Sequence, residues 1–341
     1  MNSVFRKDLH FLRAFAVLIV VLFHLKIPLF KFGYLGVDIF FFISGYLISL
    51  IVHSKLSNKS FSLREFYIKR VLRIVPAYLL IILISIISFI FVFSEYHFDK
   101  LKESVNYSLF FVSNIYFFFN SNYFDIGAYF KPLLHLWSLS TEFYFYLFYP
   151  LFYLILFKYL NSKKILVIRI IYILNLVFLL MLNLNDNFSF YFPILRTFEF
   201  LFGCLVFLHL KESFKISIDK YILLLFFIFS VLLFDYDLSL KIITILILVI
   251  IIHKNYIPSI FYNNRIINFI GDISYSLYLV HWPIIVLFNY LILRDFLIFE
   301  KLYLFLFSVF LSFIFYNCIE KKFNNLKKYK LKIFIIILFF F

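Results

Sequence analysis

Leu9-His10-Phe11-Leu12-Arg13-Ala14-Phe15-Ala16-Val17-Leu18-Ile19-Val20-Val21-Leu22-Phe23-His24 is the stretch on which the fold turns. Between Ala14 and Phe23 it carries no polar side chain. A helix at the surface of a soluble domain places polar residues on every turn. Extended to residue 29, the run reaches the roughly 20 residues that a membrane crossing needs. Arg13 interrupts the apolar core of 11–23 and no small-x-small cleavage site follows, so the run reads as a retained first span and not as a leader.

Working outward, the whole chain of 341 residues has this character. It is 65% hydrophobic and 15% charged, against about 45–50% and about 25% in soluble domains. That balance excludes a soluble globular protein, a disordered chain and a disulfide-built secreted domain. Further apolar runs lie near 34–53, 72–93, 132–157, 165–183, 189–208, 221–236, 239–253, 270–292 and 299–318. The fold predicted is an all-α, polytopic transmembrane helix bundle of about ten spans. Segment 105–119 is apolar but short, and reads as a re-entrant or interfacial piece. Cys204 and Cys318 fall inside apolar runs and read as buried free thiols.

The formal net charge is +15. In a soluble protein such a charge points to nucleic acid. Here the basic residues sit between apolar runs, where they set orientation in a membrane. With ten spans and a cytoplasmic N-terminus, 23 Lys and Arg fall on the inner side and eight on the outer side. Both termini are therefore expected in the cytoplasm, and no nucleic-acid partner is expected.

Ionisable groups inside spans are costly and mark candidate sites. Arg13 and His24 are eleven residues apart. At about 100° per residue the two side chains share one helix face, separated by about 16 Å along the axis. A snorkelling Arg and an interfacial His would look the same in sequence. Asp38 enters the second span at the depth of His24, where a carboxylate can hold an imidazole in one tautomer. It equally suits a helix N-terminus. Lys69, Arg70 and Arg73 cluster at one helix end, as phosphate binding or as positive-inside anchoring. His135, Ser138, Glu142 and Tyr146 form one polar stripe at i, i+3, i+7 and i+11, either a site or a set of interhelical struts. Arg196 and Glu199 are spaced for a site or for an intrahelical pair. Ser274, Tyr278 and His281 share a face just before Trp282-Pro283. No metal-ligand spacing and no nucleophile motif is present, so no metal is expected.

Six segments in order carry a resemblance. They are Arg13…His24, Gly36-Val37-Asp38-Ile39-Phe40-Phe41-Phe42-Ile43-Ser44-Gly45, and Lys69-Arg70-x-x-Arg73-x-x-Pro76-x-Tyr78. They continue with Trp137-Ser138-Leu139-Ser140-Thr141-Glu142-Phe143-Tyr144-Phe145-Tyr146, Gly271-Asp272-Ile273-Ser274-Tyr275-Ser276-Leu277-Tyr278-Leu279-Val280-His281 and Ile319-Glu320-Lys321-Lys322-Phe323. Over residues 5–325 the chain resembles the acyltransferase-3 family of bacterial integral membrane proteins, of the O-antigen acetylase type. Lys322 stands where that family usually has Pro. The sequence also closes without the extracytoplasmic esterase-like domain of some members, which leaves a separate extracytoplasmic partner or direct transfer both open.

The resemblance implies a membrane acyltransferase domain over 1–325 followed by a short tail, 326–341, in the bacterial inner membrane. It implies transfer of an acetyl or other short acyl group, such as succinyl, from acetyl-CoA or another acyl-CoA to a hydroxyl of a cell-surface or lipid-linked glycan. The family's Arg–His motif maps onto Arg13 and His24, its coenzyme A-associated basic motif onto Arg70 and Arg73, and its acid onto Glu142. His24, Asp38 and Glu142 are then the catalytic candidates, with Arg13, Lys69, Arg70 and Arg73 on the donor. His135, Ser138, Arg196, Glu199, Tyr278 and His281 are substrate-binding candidates. A neutral His suits the base that an alcohol acceptor needs near pH 7. The rivals are a flippase for a lipid-linked glycan, disfavoured by the lack of an internal repeat, and a structural membrane subunit.

Overall fold

The computed structural model describes residues 7–120, 126–160, 162–182, 191–209 and 263–324. The expected runs near 221–236 and 239–253, and the tail 326–341, lie outside the described residues. Among the described residues the regular structure is helical throughout, with no strand. Five helical stretches are long and apolar enough to cross a membrane: Leu35–Ser57, Leu63–Ile90, Leu136–Tyr159, Ser274–Ile292 and Ile298–Phe323.

The elements follow the apolar runs. Helix α1 is Lys7–His24, α2 Leu35–Ser57, α3 Leu63–Ile90, α4 Glu95–Leu109, α5 Ser113–Asn120 and α6 Leu136–Tyr159. Then come α7 Lys164–Leu182, α8 Pro193–His209, α9 Arg265–Asp272, α10 Ser274–Ile292 and α11 Ile298–Phe315, followed by a π-helical turn, Tyr316–Glu320. Polar residues mark the helix starts. The Ser62 hydroxyl accepts from the Glu65 N–H at α3, and Asn264 accepts from the N–H groups of Ile266 and Ile267 at α9, which satisfies donors that the first turn leaves open.

Segment 105–119 comprises the end of α4, a turn through Phe111 at φ 57°, and most of α5. One expectation needs correction. Cys204 is a buried free thiol, but Cys318 is exposed, because the π-helical turn carries it to the outer surface of the bundle.

Polar contacts fix the relative directions of the helices. Ser49 bonds Tyr149 at 2.6 Å and His53 bonds Tyr153 at 2.8 Å. This constant offset means that α2 and α6 run parallel. Arg13 bonds Ser274 at 2.8 Å and His24 bonds His281 at 2.9 Å, so α1 and α10 also run parallel. Helices α2 and α8 meet nearly backbone to backbone. A Cβ on Gly45 would lie 2.0 Å from the Phe200 carbonyl oxygen, and one on Gly203 would lie 2.1 Å from that of Phe42. Small residues permit such approach where helices pack in a membrane. Trp137, Phe41 and Phe200 fill the core beside this contact.

Candidate active site

Two cavities lie at opposite ends of the α1–α10 pair. At the Arg13 end a narrow cavity of about 80 Å³ is lined by Arg13, Arg70, Arg73, Glu142, Tyr146 and Ser44, among others. Helix α3 delivers Arg70 and Arg73 one turn apart, and α6 delivers Glu142 and Tyr146 one turn apart. The Glu142 carboxylate accepts from the Ser44 and Tyr146 hydroxyls. The Arg70 guanidinium lies over the Tyr146 ring, 5.5 Å from its centroid. Three cations and one carboxylate leave this cavity net positive. Such a surface can bind a polyanion such as a phosphorylated substrate.

Lys69 does not join them. Its side chain is 63% exposed and is held at 2.7 Å by Glu65, one turn earlier on α3, so its ammonium does not line the cavity.

At the His24 end a wide cavity of about 740 Å³ is lined by His24, Lys26, Tyr129, Trp282, Arg294 and Asp295, among others. His24 is the last residue of α1 and is 6% exposed. Its ring lies 4.6 Å from that of Trp282. Lys26 pairs with Asp295 at 2.6 Å across the rim. A lining that combines aromatic rings such as Tyr129 and Trp282 with charged groups such as Lys26 and Asp295 suits a sugar, which offers apolar faces and a ring of hydroxyls.

A polar column joins the cavities. The Tyr278 hydroxyl meets Ser138 Oγ at 2.6 Å and donates to the His135 carbonyl at 3.0 Å. The His135 ring lies 6.0 Å from that of His281, which bonds His24. The structure thus brings together Ser138, Tyr278, His135, His281 and His24, the residues that sequence spacing grouped by helix face.

Asp38, Arg196 and Glu199 stand apart from this column. Arg196 Nη1 donates to Asp38 at 2.8 Å and to Glu199 at 3.1 Å, with all three residues buried. The expectation that Asp38 orients His24 is corrected accordingly. The Asp38 carboxylate binds a guanidinium brought by α8, and His281 engages the Nδ1 of His24. Glu142 belongs to the cationic cavity and not to the cavity lined by His24. Lys26, Tyr129, Arg294 and Asp295 escaped the sequence reading, since each lies in a connection with no periodic signal. Of the residues lining that cavity, His24 and Trp282 are the two that the sequence singles out.

Residues 6–319 match the family described as an acyltransferase domain. The chain is 33% identical over 304 residues to the peptidoglycan O-acetyltransferase OatA of Listeria monocytogenes, covering 81% of this chain and 49% of that protein. It is likewise 33% identical over 304 residues to the O-acetyltransferase OatA of Staphylococcus aureus, covering 82% and 50%. An uncharacterized protein of Haemophilus influenzae is 35% identical over 207 residues, 58% of this chain and 83% of that one. The chain spans about half the length of the OatA proteins that it matches. No solved structure matches it.

Proposed function

The chain belongs to the acyltransferase-3 family, and from that membership we propose that it moves an acetyl or other short acyl group from an acyl-coenzyme A to a hydroxyl of a cell-surface or lipid-linked glycan. The observation that carries the reading is the pair of cavities, one cationic and one holding His24, joined by a polar column. The phosphates of the donor meet Arg13, Arg70 and Arg73. The cationic cavity is far smaller than the roughly 300 Å³ or more of an ordinary ligand pocket. The nucleotide head therefore stays at its mouth, and the thin pantetheine arm follows the column toward His24. The sugar enters the wide cavity from the other end. His24 takes the proton of the acceptor hydroxyl as its oxygen attacks the thioester carbonyl. The C–O bond forms, the C–S bond breaks, and the proton passes from His24 to the departing sulfur. An acyl-His24 intermediate is the alternative path.

We place the Arg13 end in the cytoplasm and both termini with it, in a ten-span bundle of the bacterial inner membrane. The charge bias supports this orientation. The parallel helix pairs fit the span order, since spans one and nine, or two and four, must run the same way in such a bundle. The O-acetylation named for the OatA relatives supports a glycan acceptor.

Purified protein in lipid discs, given acetyl-CoA with a labelled acetyl group, should acylate a glycan acceptor. His24→Ala should lower turnover by roughly two to four orders of magnitude, the range of general-base catalysis. Arg70→Ala with Arg73→Ala should instead weaken donor binding. In cells, deletion should remove an acetyl's mass from the surface glycan; loss of the glycan itself would point to transport.

A further inference from the structure

We propose that His281 is a positioning residue that fixes which nitrogen of His24 receives the acceptor's proton. The inference rests on the acyl-transfer reading and concerns the same site.

The chain of hydrogen bonds starts at a carbonyl. His281 Nδ1 lies 3.0 Å from the Leu277 oxygen. A carbonyl oxygen only accepts, so His281 Nδ1 carries the hydrogen. A neutral imidazole has one N–H, and His281 Nε2 therefore presents a lone pair. That nitrogen lies 2.9 Å from His24 Nδ1. Nδ1 of His24 must be the donor in this contact, which leaves the lone pair of His24 on Nε2. Tautomers are assigned in this way, from the bond that the other ring nitrogen makes.

The chain of bonds thus runs from the Leu277 carbonyl through His281 to His24, and it ends at a basic nitrogen on the edge of the His24 ring away from His281. When Nε2 takes the hydroxyl proton, the Nδ1–H of the resulting imidazolium stays bonded to His281 Nε2. The same Nε2 proton then goes to the leaving sulfur, so nothing is lost or gained at His281. The groups packed about the pair are the rings of Phe23, Trp282, His135 and Tyr278, and the Tyr129 hydroxyl at the His24 carbonyl. Helix geometry supplies the anchor, since Leu277 and His281 are one turn apart on α10.

The test uses the full chain in liposomes. Imidazole nitrogen-15 spectra of the resting protein should show His24 with Nδ1 protonated and Nε2 unprotonated. His281→Leu should spread His24 over both tautomers and lower turnover about 10- to 100-fold, by analogy with the loss of a partner that orients a metal-bound histidine, with acetyl-CoA affinity unchanged. His281→Gln, whose amide oxygen can accept from His24 Nδ1, should recover part of that loss and restore the tautomer signal. A wild-type His24 protonated at Nε2 would overturn the proposal. So would a His281→Leu variant with the wild-type tautomer and full turnover. Absence of any transfer by the unaltered protein would sink the acyl-transfer reading instead, and the spectra would still decide the tautomer.

Discussion

Replacing Arg196 by Met should destabilise the protein severely. Arg196 is 3% exposed and donates to Asp38, 5% exposed, and to Glu199, which is fully buried. These contacts tie α2 to α8 beside the Gly45–Gly203 approach. Removing the guanidinium leaves two carboxylates buried without the cation that they share. Removing one partner of a buried ion pair costs about 3–5 kcal/mol. At about 1.4 kcal/mol per tenfold, that is roughly two to four orders of magnitude in the folding equilibrium. Neutralising all three residues, as Asp38→Asn, Arg196→Met and Glu199→Gln together, should recover most of the loss, because a buried triad is often replaceable by neutral groups. Unfolding in mixed micelles can be followed by tryptophan fluorescence. The Arg196 guanidinium lies 5.4 Å from the Trp137 ring centroid, so one of the chain's two tryptophans reports directly on the contact. If Arg196→Met is as stable as the parent but inactive, the triad is part of a substrate site and the structural argument fails.

Gly203→Ala should force α2 and α8 apart and cost about 1–3 kcal/mol, the range of overpacking, whereas Gly127→Ala, with nothing within 4 Å of the added Cβ, should change the melting temperature little. Glu142→Gln keeps an oxygen to accept from Ser44 and Tyr146 and should fold normally; loss of transfer would assign the carboxylate a chemical role, and full activity would reduce it to a strut. Lys26 donates to Asp295 and holds its carboxyl below the usual range. The stability from this pair is complete above the ordinary carboxylate value of about 3.9 and is lost as pH falls through the lowered one. Asp295→Asn should therefore flatten the acid limb of a pH–stability curve, and an unchanged limb would count against the pair. Tags at both termini should resist labelling from outside intact cells, and labelling of either would refute the ten-span orientation.

What was legible in the sequence is what one helix determines by itself. The apolar runs gave the helices, and the turn arithmetic that put Arg13 and His24 on one face is met in space, since both reach α10. The stripe on α6 likewise holds, with Ser138 at Tyr278 and Glu142 at Tyr146 and Ser44. What was not legible depends on how separate helices meet. Asp38 and His24 share a depth, but depth does not choose a partner, and Asp38 is bonded to an arginine 158 residues away. Helix α4 escaped because its polar residues, among them His97, Asp99, Lys100, Lys102 and Glu103, hide it from a search for apolar runs. The wide cavity escaped for a related reason: Lys26, Tyr129, Arg294 and Asp295 come from three different connections. This division follows from the bilayer. Crossing it demands regular helices with satisfied backbones, so spans are written as periodic patterns. The connections carry no such demand, and they are free to vary where an acceptor would have to be recognised.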